Sequence, residues 1–414
     1  MKKTTILIIS LTLMVLSIPN KVFAADFTTG NLVVLRIGDG SASLSSAATA
    51  SFLDEYTPTG TLVQSIANPT SGDNMIASSG TAGSEGALSL SPDGVYLTFA
   101  GYNAVIGTAS IKGTTAAVVN RIALSYDKKL AITSIKSATA YSGDNIRSAV
   151  RNGNDFWAGG TSSGAGTNGV QYFGTGTAGQ VSATMTNVRV VNIFNGQLYF
   201  TTGSSTVGIY KVGSDLPTGT GVTSTLEIGT TYGTGTASPY GFSFNSTSTI
   251  CYVADDRTSA NGGGILKFTK TGETWVYAYT LSLGIGARGL AVDWSATNPI
   301  IYATTTDNKI AKIEDSGASA VSLVLVTGAT NTAFRGIGFT PDLNTSTQTP
   351  KSQTWTLANN TLSFTDLPGS KIEVYTLTGS KAAIFEPSIN VNLNLSKGVY
   401  ILKVDNNTSK IMLK

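Results

Sequence analysis

A unit of two short apolar strands joined by a polar turn recurs along this chain every ~40 to 60 residues, the period of propeller blades. Its clearest copy is Ala-Leu-Ser-Leu at 87–90, the turn Ser91-Pro92-Asp93-Gly94, and Val-Tyr-Leu-Thr-Phe at 95–99. Pro and Gly supply there the preset and positive φ angles of a tight reversal, so the turn needs no catalytic reading. The unit returns at 147–150 with 156–158, at Val188–Phe194 with 198–200, at 241–244 with 250–253, and at 289–292 with 300–303. A sixth first strand, 336–339, has no second strand after it, whereas the chain opens with an unmatched set at Leu32–Ile37, 50–56 and 62–66. The two fragments complete one blade, and pairing them would join the ends of the ring and remove its free sheet edges. The expected fold is all-β: a six-bladed β-propeller over residues 25–343. A seven-bladed ring and a pair of β-sandwiches stay open as alternatives.

Ahead of the repeat, Lys2 and Lys3 precede an apolar run at 6–18, and Val22-Phe23-Ala24 stands before Ala25. This is the layout of a secretory signal at 1–24, with the mature chain starting near Ala25. The run is shorter than the ~20 residues a helix needs to cross a bilayer, and no later stretch approaches that length, so no membrane span is expected. Of the 27 Lys and Arg, three (Lys2, Lys3, Lys21) belong to the signal, which leaves 24 against 24 Asp and Glu. No basic stripe appears, so nucleic-acid partners are not expected.

The chain has no His, and its one Cys is Cys251. Ser-His-Asp and Cys-His nucleophile systems are excluded, as are histidine-ligated zinc, iron and copper sites. Cys251 lies in an alternating apolar run and reads as a small buried thiol. The Gly-rich stretches at 159–169 and 174–179 lack a phosphate-loop Lys and a following helix and read as loops.

A polar linker is read at 344–351, and a second strand-rich unit at 352–414. Its segments are read at 362–364, 371–375, 377–379, 389–395, 397–404 and 409–414. The residues Ile372-Glu373-Val374-Tyr375 with Gly379, then Leu395-Ser396-Lys397-Gly398-Val399-Tyr400, and a closing short strand ending at Lys414 make this unit resemble the type A C-terminal sorting domain of the type IX secretion system of Bacteroidota. The Asn-Pro start usual in that family is absent, and Ala358-Asn359-Asn360-Thr361 stands near its place. The resemblance implies a small immunoglobulin-like β-sandwich that engages the type IX machinery. It also implies passage across the outer membrane, removal of the unit, and release or surface attachment.

Aligning the six first strands at their starts puts Glu85, Arg147, Arg189, Tyr240, Arg288 and Arg335 at equivalent positions. In a propeller these side chains ring the mouth of the central channel, and converging guanidiniums grip carboxylates, sulfates or phosphates. The competing reading is a structural ring in which each Arg bonds neighbouring carbonyls, Glu85 or Asp144. Asp255, Asp256 and Asn261 form an oxygen-rich loop that could hold calcium; Arg257 within it argues against a cation and favours a solvated turn. No other cofactor is expected.

Three functional classes follow. The first is a secreted or surface-attached binding protein for an extracellular ligand, an anionic glycan by the chemistry of the ring. The second is a carbohydrate-active enzyme of polysaccharide-lyase type, with an Arg neutralising a uronate and Tyr240 moving the proton. The third is a structural surface or adhesion protein. No catalytic constellation is recognisable, so the reading leans away from an enzyme.

Overall fold

The computed structural model describes residues 24–174, 179–342, 355–364, 371–404 and 407–413. The signal up to residue 23, the linker at 344–351 and Lys414 lie outside the described residues.

Among the described residues, six four-stranded antiparallel sheets occupy residues 32–339. In five of them the strands follow chain order from the inside outward, beginning with Ser89–Leu90, Ile146–Asn152, Val188–Phe194, Pro239–Phe244 and Ala287–Asp293. The remaining sheet is composite. Its inner strand is Ala333–Phe339, and the next three are Leu32–Ile37, Ser51–Tyr56 and Leu62–Ala67. Leu32 faces Phe339 and Ile37 faces Ala333 across this junction. Each inner strand touches the next around a circle that closes where Ala333–Phe339 meets Ser89–Leu90. The sheets therefore stand round a common axis in a β-propeller-like arrangement.

The pattern of burial explains the composition of the strands. Leu32–Ile37 reads Leu-Val-Val-Leu-Arg-Ile and is covered on both faces, because a second strand lies under the sheets to either side. Outermost strands such as Leu62–Ala67 turn several residues to solvent. The core is a chain of clusters between neighbouring sheets: Phe99, Leu124 and Leu53 in one interface, Trp157, Phe200 and Val191 in another. Burial at about 25 cal/mol per Å² of apolar surface is the main stabilising term in such interfaces.

Two local readings change. The inner strand expected at 87–90 shrinks to Ser89–Leu90, because the Gly86 and Ala87 N–H groups both donate to the Arg147 carbonyl of the neighbouring sheet, at 3.1 and 3.2 Å. Gly159 and Gly160, read as loop, end the strand Asp155–Gly160. A Cβ on Gly159 would lie 2.6 Å from Val188 and 2.9 Å from the Ser148 hydroxyl, so glycine marks a close approach of two sheets.

Residues 355–413 contain two further sheets. One has three strands, Trp355–Ala358, Thr361–Phe364 and Asn390–Asn392. The other has four, in the order Lys381–Phe385, Ile372–Thr376, Gly398–Val404, Asn407–Leu413. Leu362, Phe364 and Val391 from the first share one core with Ile372, Val374, Leu402 and Ile411 from the second. Trp355–Ala358 and Lys381–Phe385 were not anticipated from the sequence, and the strand read at 389–395 is three residues long. Among the described residues no helix is long and apolar enough to cross a membrane.

Candidate functional site

The five ring residues carried on inner strands all fall in breaks of strand register. The ladder skips between Ile146 and Ser148, Val188 and Val191, Pro239 and Phe242, and Ala287 and Gly289. Opposite Val34 and Arg36 it skips between Ile337 and Phe334. Arg147, Arg189, Tyr240, Arg288 and Arg335 sit inside these breaks. A bulge kinks its strand and re-aims the extra side chain, here toward the mouth of the ring. The backbone groups it frees need other partners. The Gly289 N–H donates to the Thr304 hydroxyl at 3.0 Å, and that hydroxyl donates to the Arg335 carbonyl of the next sheet. Thr201 repeats the arrangement, accepting from the Val190 N–H at 3.2 Å and donating to the Tyr240 carbonyl at 2.8 Å.

Two of the four arginines act as staples between sheets. Arg147 donates through Nη1 to the Asn187 side-chain oxygen and to the Val188 carbonyl at 3.2 Å. Arg189 donates through Nη1 to the Ser238 hydroxyl at 2.7 Å and the Pro239 carbonyl at 3.2 Å. Each thus reaches the start of the next inner strand. Tyr240 lies between guanidiniums, with Arg189 4.3 Å and Arg288 5.5 Å from its ring centroid.

Arg288 and Arg335 are used differently. Arg288 donates from Nε to Asp256 Oδ2 at 2.9 Å, and its side chain is 33% exposed. Its terminal nitrogens have no hydrogen-bond acceptor among the described residues. Arg335 is largely enclosed; Nη2 donates to the Gly80 carbonyl at 3.0 Å, and Nε is buried without a partner. Burial, and then the neighbouring Arg288, lower its pKa to about 10, against the opposing pull of Glu85.

Glu85 precedes its strand and is 4% exposed. Its carboxylate accepts from the Tyr102 hydroxyl at 2.6 Å and the Ser79 N–H at 3.1 Å. Burial pushes its pKa up to about 7, although these donors and Arg335 draw it down. The segment 80–85 crosses the mouth. Gly80 holds Arg335, Gly83 stands against the Arg288 guanidinium where a Cβ would collide, and the Ser84 hydroxyl accepts from Asn145 Nδ2 at 3.0 Å. Beneath it a small cavity on the axis is lined by Leu88, Val190, Asn192, Phe242, Leu290 and Arg288, among others.

All six ring residues therefore converge on one mouth. Sequence reasoning missed Asn145, Asn187 and Ser238, which position them, and placed Asp256 in a separate oxygen-rich loop, whereas it pairs with Arg288. Asn145, Asn187 and Ser238 each stand two residues before a ring residue, and that recurrence is the signal that could have exposed them.

The oxygen-rich loop is not gathered round a common point. Asp255 is buried and accepts from the Ser238 N–H at 3.0 Å, the Arg257 N–H at 3.0 Å and Arg257 Nε at 2.9 Å, while Asp256 turns to Arg288. Asn261 Oδ1 accepts from Thr234. The start of the loop is thus held inside by the buried Asp255–Arg257 pair, while Thr258 and Asn261 are exposed. Among the described residues no group of three or more His, Cys, Asp or Glu is placed to hold a metal. Cys251 is buried and free.

In the C-terminal unit Glu373 accepts from the Tyr375 hydroxyl at 3.0 Å and pairs with Lys381. Gly379 takes φ +85° in the turn after Ile372–Thr376, a conformation that favours glycine. Gly398 opens the strand Gly398–Val404, and Tyr400 donates to the Ser396 carbonyl at 2.9 Å.

No family model and no curated protein sequence matches this chain. Solved structures similar to it include the dihydro-heme d1 dehydrogenase NirN in complex with DHE, at 12% identity and TM-score 0.39, covering 94% of this chain and 71% of that one. The Pseudomonas aeruginosa periplasmic gluconolactonase PpgL is similar at 11% identity and TM-score 0.38, covering 86% and 96%. A chain of a nidogen/laminin complex is similar at 12% identity and TM-score 0.43, covering 74% and 97%. Likeness at these scores carries no argument about what this chain binds or does.

Proposed function

We propose that this chain is a secreted or surface-attached six-bladed β-propeller that binds an anionic extracellular ligand, an acidic glycan by class, at the mouth of its ring. The observation that carries the reading is the convergence of four guanidiniums on that mouth, with Asp256, among the described residues, the one carboxylate paired to any of them and Arg288 keeping terminal N–H groups unspent. Such forks match the planar oxyanions of uronates and sulfate esters. The full chain is expected to be retained by sulfated or uronate polysaccharides and not by neutral ones. Retention should weaken with added salt, because exposed charges are screened over about 8 to 10 Å near physiological ionic strength. The double substitution Arg288→Gln, Arg335→Gln should abolish it in a folded protein. Retention by neutral polysaccharides alone, or retention unchanged by the double substitution, would refute the site.

For export, the proposal is that residues 1–24 form the signal and residues 352–414 an immunoglobulin-like type IX sorting domain. Its support is the residue pattern at Glu373, Tyr375, Gly379, Gly398 and Tyr400, carried on a two-sheet unit with its own core, together with Lys414 in the sequence. Mass spectrometry of the exported form should find a chain that begins near Ala25 and lacks the C-terminal unit. An intact chain confined to the cytoplasm would contradict it.

A further inference from the structure

The mouth is chemically divided. Arg147 and Arg189 hold acceptors on the next sheet, whereas Arg288 is open at its terminal nitrogens and Arg335 is enclosed beside it with an unpartnered Nε. Near Arg335 lies Glu85, at the end of the segment 80–85 and almost wholly buried. The charged and titratable groups around Glu85 come from four strands and one connection. They are Tyr102 at the end of Leu97–Tyr102, Arg121 whose guanidinium lies 5.0 Å from the Tyr102 ring, Arg147, Arg335, and Asp144. Tyr102 is neutral and donates to the carboxylate, because burial first and the Glu85 charge second push its own pKa well up.

We propose that the Arg288–Arg335 half of the mouth binds a single oxyanion of sulfate or carboxylate type, and that the anion enters together with a proton taken up by Glu85. This rests on the anionic-ligand reading above and specifies its chemistry. Ionised Glu85 lies close enough to Arg335 for the two charges to attract, without a direct ion pair between them. An anion placed between Arg288 and Arg335 approaches that carboxylate through one shared guanidinium, with little water to screen the like charges. A proton on Glu85 removes the repulsion, while the bound anion in turn holds the proton more tightly.

The sign follows directly. Glu85 titrates near 7 in the free protein, and a bound anion raises its pKa further. Affinity is therefore highest below about pH 7, where Glu85 is protonated with or without ligand. It falls as pH rises above that point, by up to about tenfold per pH unit, until the bound state also ionises. Sulfate does not titrate in this range, so the dependence belongs to the protein.

The test is calorimetric titration of the full chain with sodium sulfate at about pH 6 and about pH 8.5, at constant ionic strength, in buffers of differing ionisation enthalpy. Affinity should drop about tenfold or more between the two, with uptake approaching one proton per sulfate near pH 8. Glu85→Gln should bind equally at both values, at least as tightly as the wild type at pH 6. The proton count is read on the wild-type chain and does not depend on that variant folding. Parallel titration with glucuronate distinguishes a uronate from a sulfate ester as the source of the oxyanion. Binding that is independent of pH, takes up no proton and is still weakened by Arg288→Gln overturns the proton coupling alone. Absence of binding by both anions at both pH values overturns the anionic-ligand reading with it.

Discussion

Arg147 and Arg288 occupy equivalent positions in their strands and differ only in what they meet. Arg147 faces the Asn187 side chain and the Val188 carbonyl, so replacing it leaves two partly buried acceptors without their donor. Arg147→Gln should cost about 1–3 kcal/mol and lower the melting temperature. Arg288→Gln should cost less, because the Arg288 side chain is a third exposed and its pairing with Asp256 is partly screened by water. Equal losses in the two variants would contradict the division of the ring into staples and open cations. The positions of the ring residues were legible, since one residue at the start of each repeat is enough to line an axis. Their roles were not: whether an Arg is spent depends on Asn187, Ser238 or Gly80, which come from other sheets or a connection far away in sequence.

Elements show the same limit. The strand Val188–Phe194 and the strand Leu32–Ile37 are legible residue for residue, because runs of Val, Ile and Leu bounded by turn residues leave little freedom in placing them. The bulges are not legible, because a break in register is a property of two strands and appears in neither alone. Glycines after ring residues mark where inner strands approach most closely. A Cβ on Gly336 would lie 2.6 Å from the Gly86 carbonyl oxygen and 2.8 Å from the Ala87 carbonyl carbon, both backbone atoms that cannot swing away. Gly336→Ala should therefore destabilise by about 1–3 kcal/mol or more, while Gly229→Ala, whose Cβ meets open space, should be nearly neutral. A thermal melt of the two variants decides it; an unchanged Gly336→Ala would show that the inner strands are not in close backbone contact.

At the scale of the whole molecule, the composite sheet places Leu32–Ile37 beside Ala333–Phe339, some 300 residues apart in the chain. An edge strand at either end would expose a row of unpaired N–H and C=O groups, and pairing the ends satisfies both rows at once. The strand-like runs, the turns between them, the repeat and the absence of His are local properties, and each could be read from neighbours within a few residues. Burial brings Glu85 to about 7 against the opposing pull of Tyr102 and Arg335, and the segment 80–85 is held over the mouth by contacts to three different sheets. Those properties arise from residues distant in the chain meeting in a low-dielectric interior, and no periodicity along the sequence encodes which of them meet.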